Sequence, residues 1–362
     1  MGQMGHIWSI FVLLPILLDS IGKILHTYLF IADPVSLLSF GDDVYYIMLA
    51  EIKLRIRMST PTVTVKYHAD FKEIPFLNSC HADIDDSKRG HTGIVVDFEN
   101  GDWNYLKFKT WIHKHIPKFA LTKSELANIT PDTMVELTTR AAKLIHDRDK
   151  KLGKKGEIGE IILHGLLVDI FGTEPLVSKI YYKTDPTENV KGFDSVHVVY
   201  KENEDKIGSL WLGEAKFHRD YKNAISKAFA SVEDFLQAKK LRREFMIVKN
   251  HIDQNDERKS AAEQLLSNLK SLDEIRSLIC VPVLIAYESP ETQKHKKMSD
   301  EYMESIDIEI QKCLDAFSKK FVFEDEVDVD VHVFFMPLKD KAKALSVFTD
   351  EISSLQGADI EV

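Results

Sequence analysis

Ser209-Leu210-Trp211-Leu212-Gly213-Glu214-Ala215-Lys216-Phe217 decides how the chain is read. Side chains alternate between the two faces of an extended strand. Leu210, Leu212, Glu214 and Lys216 therefore share one face, and Trp211, Ala215 and Phe217 share the other. A carboxylate and an ammonium group stand two residues apart at the end of an otherwise apolar strand. Burying charge is costly unless it is paired or bound to metal. The interruption calls for a chemical reason.

Toward the N-terminus lies Lys191-Gly192-Phe193-Asp194-Ser195-Val196-His197-Val198, where Asp194, Val196 and Val198 share a face. Asp194 opens this strand after a polar loop. A hairpin through Lys201–Lys206 would bring it beside Glu214. Two carboxylates meeting there suit Mg²⁺, a hard cation that prefers oxygen ligands. Such a metal would polarise a phosphodiester oxygen and acidify a bound water. Lys216 would orient that water and stabilise charge developing on the phosphate. Further upstream, a helix is expected from Glu157 to Phe171, stopped by Gly172 and Pro175. Glu157 and Glu160 lie three apart, hence on one helical face. Glu160, followed by Ile161-Ile162-Leu163, is the one expected to face the site; Glu157 suits the first turn through the helix dipole alone. The plain alternative is a surface Glu–Lys pair with a turn aspartate capping a strand.

The order of helix Glu160, strand Asp194 and then Glu214-Ala215-Lys216 on the next strand resembles the PD-(D/E)xK nuclease superfamily, although Phe193 stands where the motif has proline. More narrowly, GEIGEIILHGLL (156–167), KGFDSVHV (191–198) and LWLGEAKF (210–217) resemble the HamA family, the nuclease subunits of the two-component Hachiman anti-phage defence system. The resemblance runs from about Thr62 to the C-terminus. It implies a restriction-endonuclease-like α/β core with a mixed central sheet flanked by helices. It also implies a cytoplasmic, metal-dependent DNA endonuclease. Asp194, Glu214 and Glu160 would hold Mg²⁺ or Mn²⁺, Lys216 would assist the water, and a HamB-like superfamily 2 helicase would be the partner. The alternative is a catalytically inactive nuclease-fold module that binds DNA or a partner.

The bulk composition is compatible with this. With 44% hydrophobic and 29% charged residues the 362-residue chain is globular. A net charge of −10 excludes coating nucleic acid by bulk electrostatics, which needs clustered Lys and Arg. It leaves room for positive charge concentrated at one groove or supplied by a partner. Cys80, Cys280 and Cys313 show no ligand spacing and are expected to be buried small hydrophobes. No GxxxxGK[ST] is present, so the chain carries no ATP motor of that kind. His218 and Arg219 could touch a phosphate. His113 and His115 read as a solvated loop. Lys239, Lys240, Arg242 and Arg243 read as the end of a helix, where cations suit the dipole.

Three segments are expected. Residues 1–57 form an apolar extension with runs Ile7–Leu18 and Ile24–Ala32, read as an over-extended start ahead of Met58; a membrane hairpin and an added helical layer are the other readings, with membrane attachment disfavoured. Residues 58–150 form a small strand-rich module, with strands at Thr62–Tyr67, Gly93–Phe98 and Tyr105–Trp111, a Glu99-Asn100-Gly101-Asp102 turn, and a helix over Asp132–Asp149. Residues 151–362 form the nuclease-like domain. Strands are expected there at Lys179–Tyr182, Phe193–Tyr200, Ser209–Phe217, Cys280–Tyr287 and Val327–Phe335. Helices are expected at Ala224–Arg243, Lys259–Ser277, Asp300–Lys320 and Lys341–Leu355. Alternation of strands with helices indicates layers around a central sheet.

Overall fold

The computed structural model describes residues 77–84, 89–152, 157–178, 180, 192–201, 206–267, 271–323 and 329–356. The expected extension over 1–57 and the strand at Thr62–Tyr67 lie outside them, as does all but Ile180 of the strand at Lys179–Tyr182. Residues Val63–Val362 form one compact unit.

The strands are β1 (Leu77–Ile84), β2 (Arg89–Val96), β3 (Phe98–Glu99), β4 (Asp102–Trp103), β5 (Glu174–Pro175), β6 (Ser195–Tyr200), β7 (Ile207–Phe217), β8 (Ile279–Glu288) and β9 (Asp330–Leu338). The helices are α1 (Tyr105–Ala120), α2 (Lys123–Leu126), α3 (Met134–Leu152), α4 (Glu157–Phe171), α5 (Tyr221–Phe235), α6 (Ala238–His251), α7 (Lys259–Leu265), α8 (Leu272–Arg276), α9 (Pro290–Lys294), α10 (Asp300–Lys320) and α11 (Lys341–Gln356).

Seven strands form one mixed sheet in the order β1-β2-β9-β8-β7-β6-β5. Strands β7, β8, β9 and β2 run parallel at its centre, and β1, β6 and β5 are antiparallel to their neighbours. Strand β8 is buried along nearly its whole length, as a parallel strand covered on both faces must be. The two faces bury separate cores. Leu210, Leu212, Val283 and Val333 pack with Ala228, Val248 and Ile306 on one face. Leu284, Phe334 and Met336 pack with Trp111, Ile162 and Phe348 on the other. The result is a three-layer α/β/α arrangement.

The strand-rich N-terminal segment exists, but not as foreseen. Strand β2 joins the central sheet by parallel pairing with β9, Arg89 opposite Val331. The Asn-Gly turn is present: β3 and β4 form a two-stranded pair joined by Asn100 at φ 52° and Gly101 at φ 80°. Both central residues lie in the left-handed region that a type I′ hairpin requires, which explains Asn-Gly there. The strand expected at Tyr105–Trp111 is a helix. Asn104 caps it, its Oδ1 accepting from the Lys107 N–H at 3.1 Å. The buried residues Phe108, Trp111, Ile112, His115, Ile116 and Phe119 recur at helical spacing. A window of seven residues is too short to show that period.

Two long helices of the sequence reading are each split. Ala224–Arg243 is divided between α5 and α6, and Lys259–Ser277 between α7 and α8. Lys239, Lys240, Arg242 and Arg243 consequently sit in the first half of α6, where the dipole does not explain them. His115 is fully buried and contacts Asp169 at 2.9 Å, while His113 contacts Glu351 at 2.5 Å; neither is in a solvated loop. Cys280 and Cys313 are free and buried, as expected. Among the described residues, no helix is long and apolar enough to cross a membrane.

Candidate active site

Strands β6 and β7 pair with Ser195 opposite Gly213 and Val196 opposite Leu212. Asp194, one residue before β6, donates its backbone N–H to the Gly213 carbonyl at 2.8 Å. Its carboxylate accepts from the Ala215 N–H at 2.9 Å. The hairpin thus fixes Asp194 against β7, alongside Glu214. Side-chain parity holds as read from the sequence. Leu210 and Leu212 point into one core, whereas Trp211, Ala215 and Phe217 pack on the other. Glu214 and Lys216 follow the first pair.

Glu214 is 4% exposed, and its Oε1 accepts an ion-paired hydrogen bond from Lys216 Nζ. A buried carboxylate of this kind needs such compensation. Helix α4 docks on the opposite face of β7: a Cβ placed on Gly159 would lie 3.5 Å from the Cβ atoms of both Ala215 and Phe217. Glu160, the next residue of α4, is buried. Of the four residues singled out, the fold gathers Asp194, Glu214 and Lys216. Among the described residues, no three His, Cys, Asp or Glu side chains converge as metal ligands. The donor set Asp194 and Glu214 is nonetheless all oxygen, which fits a hard divalent cation.

The parallel strands β7, β8 and β9 end on this side of the sheet. The His218 N–H reaches the Ala286 carbonyl at 2.9 Å, and the Glu288 N–H reaches the Arg219 carbonyl at 3.0 Å. Open α/β sheets bind ligands outside the carboxyl ends of their parallel strands.

Sequence reasoning missed a buried histidine chain behind Asp194. His164 Nδ1 lies 3.1 Å from His197 Nε2, and His197 Nδ1 lies 2.7 Å from Thr173 Oγ1. Burial pushes the His197 imidazole down to about 3, and burial followed by the neighbouring His197 pushes His164 well below its ordinary value. Both rings are neutral at physiological pH. They line a small pocket that also touches Asp194, Ser195 and Phe119. The available signal was a histidine inside each of two otherwise apolar runs, Ile161–Leu167 and Val196–Val199.

Gly213 sets the spacing of this hairpin. A Cβ there would fall 2.1 Å from Ser195 Oγ and 2.8 Å from Leu163 Cδ2. The serine hydroxyl can rotate away, but Leu163 is fully buried and cannot move freely. Gly213→Ala should therefore cost about 1–3 kcal/mol, the usual penalty for overpacking, and shift Asp194 relative to Glu214. Urea unfolding measures it; an unchanged midpoint would show that α4 yields without cost.

A search of curated proteins finds no match. The HamA family model matches residues 74–352, a span that contains α4, the β6–β7 hairpin and every strand of the parallel centre. With that share of its length matched, the chain belongs to the HamA family and is a component of a Hachiman defence system.

Proposed function

We propose that the chain is a metal-dependent DNA endonuclease of the PD-(D/E)xK type, with Asp194, Glu214 and Lys216 as its centre. One observation carries the reading: the Asp194 carboxylate is held on the Ala215 N–H, next to the buried Glu214–Lys216 pair, at the carboxyl ends of parallel strands. Asp194 and Glu214 would hold Mg²⁺ or Mn²⁺, with Glu160 as a further ligand drawn from α4. The metal supplies Lewis acidity toward the phosphodiester and acidifies water. Asp194 is kept oriented by the Ala215 amide. Lys216 balances Glu214 and places a positive charge where charge develops on the phosphate. Its ammonium would also hold the attacking water.

The Glu214→Ala/Lys216→Ala variant, compared with wild type at equal folded fraction, should lose DNA cleavage in Mg²⁺ by ~10³-fold or more. Undiminished cleavage would remove the assignment. The net charge of −10 further supports action with a partner. In this reading a HamB-like helicase loads the cytoplasmic nuclease onto DNA, and full-rate cutting by the isolated chain would contradict it. The reading as an inactive binding module draws on one observation, the lack of a converged three-ligand group among the described residues. Calorimetric titration separates the two: the nuclease should bind Mn²⁺ in a manner that Asp194→Ala abolishes.

A further inference from the structure

Strand β7 continues from the candidate centre through Phe217 and His218 into α5, and one lysine stands to either side of that exit. Lys341, at the start of α11, places its Nζ 5.7 Å from the centre of the Phe217 ring. Phe217 packs on the core beneath α1, α3, α4 and α11. The Lys341 N–H also bonds to Glu288 Oε1 at 3.1 Å, which ties the start of α11 to the end of β8. Lys227 lies on α5, on the opposite layer, and is exposed. Among the described residues neither Lys227 nor Lys341 is held in an ion pair, whereas nearby Lys339 and Lys343 are both committed to Asp102. The field of these cations is felt at His218: burial first, then Lys227, Lys341 and Lys216, lower its affinity for a proton, against an opposing pull from Asp220. In a net-negative protein, Lys227 and Lys341 thus flank the strand end that carries the Glu214-Ala215-Lys216 sequence, where Lys216 itself is paired with Glu214.

We infer that Lys227 and Lys341, one from each helical layer, form a phosphate-binding track that grips the DNA backbone on both sides of β7 and leads it across the carboxyl ends of the parallel strands to Asp194, Glu214 and Lys216. The inference rests on the nuclease reading for the identity of the ligand. Such contacts are independent of base sequence and position the backbone rather than select a site. They displace counterions, so binding should weaken with salt at a slope of roughly 0.9 per phosphate engaged.

The test is fluorescence anisotropy of a short labelled DNA duplex with the full chain, without metal, over a salt series. Lys227→Gln/Lys341→Gln should weaken binding by roughly tenfold and flatten the salt slope by about 2, because each lysine neutralises about one phosphate. Lys239→Gln/Arg242→Gln, which neutralises charge on α6, should leave both unchanged. The track is overturned if the first variant keeps the wild-type slope, if the α6 variant takes the slope instead, or if wild type fails to bind the duplex at low salt. Cleavage in Mg²⁺ judges the nuclease reading separately. Cleavage that depends on Glu214, together with an unchanged slope in Lys227→Gln/Lys341→Gln, sinks the track alone. A flattened slope with no cleavage by wild type even when the HamB-like helicase is present supports the track and sinks the nuclease reading.

Discussion

Lys216→Ala should destabilise the protein by about 3–5 kcal/mol, the usual cost of breaking a buried ion pair from one side. Glu214 is 4% exposed, with Asp194 held beside it on the next backbone amide, so removing the ammonium leaves its carboxylate without that partner. The side chains of Lys216 and Glu214 are 18% and 5% exposed, so solvent cannot take over the neutralising role. The lone carboxylate would respond by taking up a proton, because desolvation and a like charge both raise its pKa. Protonation in the folded state alone adds stability as pH falls, so the deficit of Lys216→Ala should shrink toward acid pH. Glu214→Ala/Lys216→Ala removes both charges and should cost less than Lys216→Ala by itself. Urea unfolding of the two single variants and the double variant gives the coupling directly. Additive losses would mean that the pair contributes nothing as a pair. The same cycle guards the cleavage experiment, since a single variant that is inactive merely through unfolding says nothing about chemistry.

How much of this is legible in the sequence depends on whether the signal is local. Strand β7 and helix α10 can be read because a complete period lies within each of them. The register of Asp194 against Glu214 is legible because a short hairpin joins their strands, and alternation then fixes which side chains share a face. The helical nature of α1 is not. Its hydrophobic repeat needs the full stretch from Phe108 to Phe119, and Trp111 and Phe108 near its start mimic strand residues. The pairing of β2 with β9 joins residues more than two hundred positions apart, Arg89 with Val331, and no local pattern encodes it. Which face of α4 meets the sheet is not legible for a related reason. Helix α4 is buried from Glu157 to Leu167, so it has no polar face to show which side meets the sheet. The docking at Gly159 decides it, and that is a tertiary fact. Lys227 and Lys341 are invisible as a pair because they come from different layers.

Acidification from pH 7 to pH 5 should remove a large part of the folding free energy, well before the carboxylates titrate. Burial holds the imidazoles of His197 and His332 at about 3, against an ordinary value of 6.5. His164, in edge-to-face contact with both His197 and Phe119, is displaced in the same direction. A histidine kept neutral in the fold but free to protonate when unfolded stabilises fully above about pH 6.5. That contribution is lost as pH falls toward the folded value. Each such group changes stability by about 1.4 kcal/mol per pH unit within the window. At pH 5, His197 and His332 should together have lost about 4 kcal/mol, against a total stability of ~5–15 kcal/mol for a typical domain, and His164 adds to the loss. Asp169 does not offset it. Burial alone would raise its carboxyl, but hydrogen bonds from His115 and Trp111 hold it down to about 2, so it begins to protonate only below about pH 4. Thermal unfolding midpoints across this range measure the effect, and a flat profile from pH 7 to pH 5 would show that these rings do not stay neutral in the fold. His332→Gln offers the sharper check. Gln can keep a partner for Thr92, whose hydroxyl lies 2.8 Å from His332 Nε2, yet it does not titrate. The slope of stability against pH should then fall by about 1.4 kcal/mol per unit, whereas a slope equal to wild type would place the acid sensitivity elsewhere.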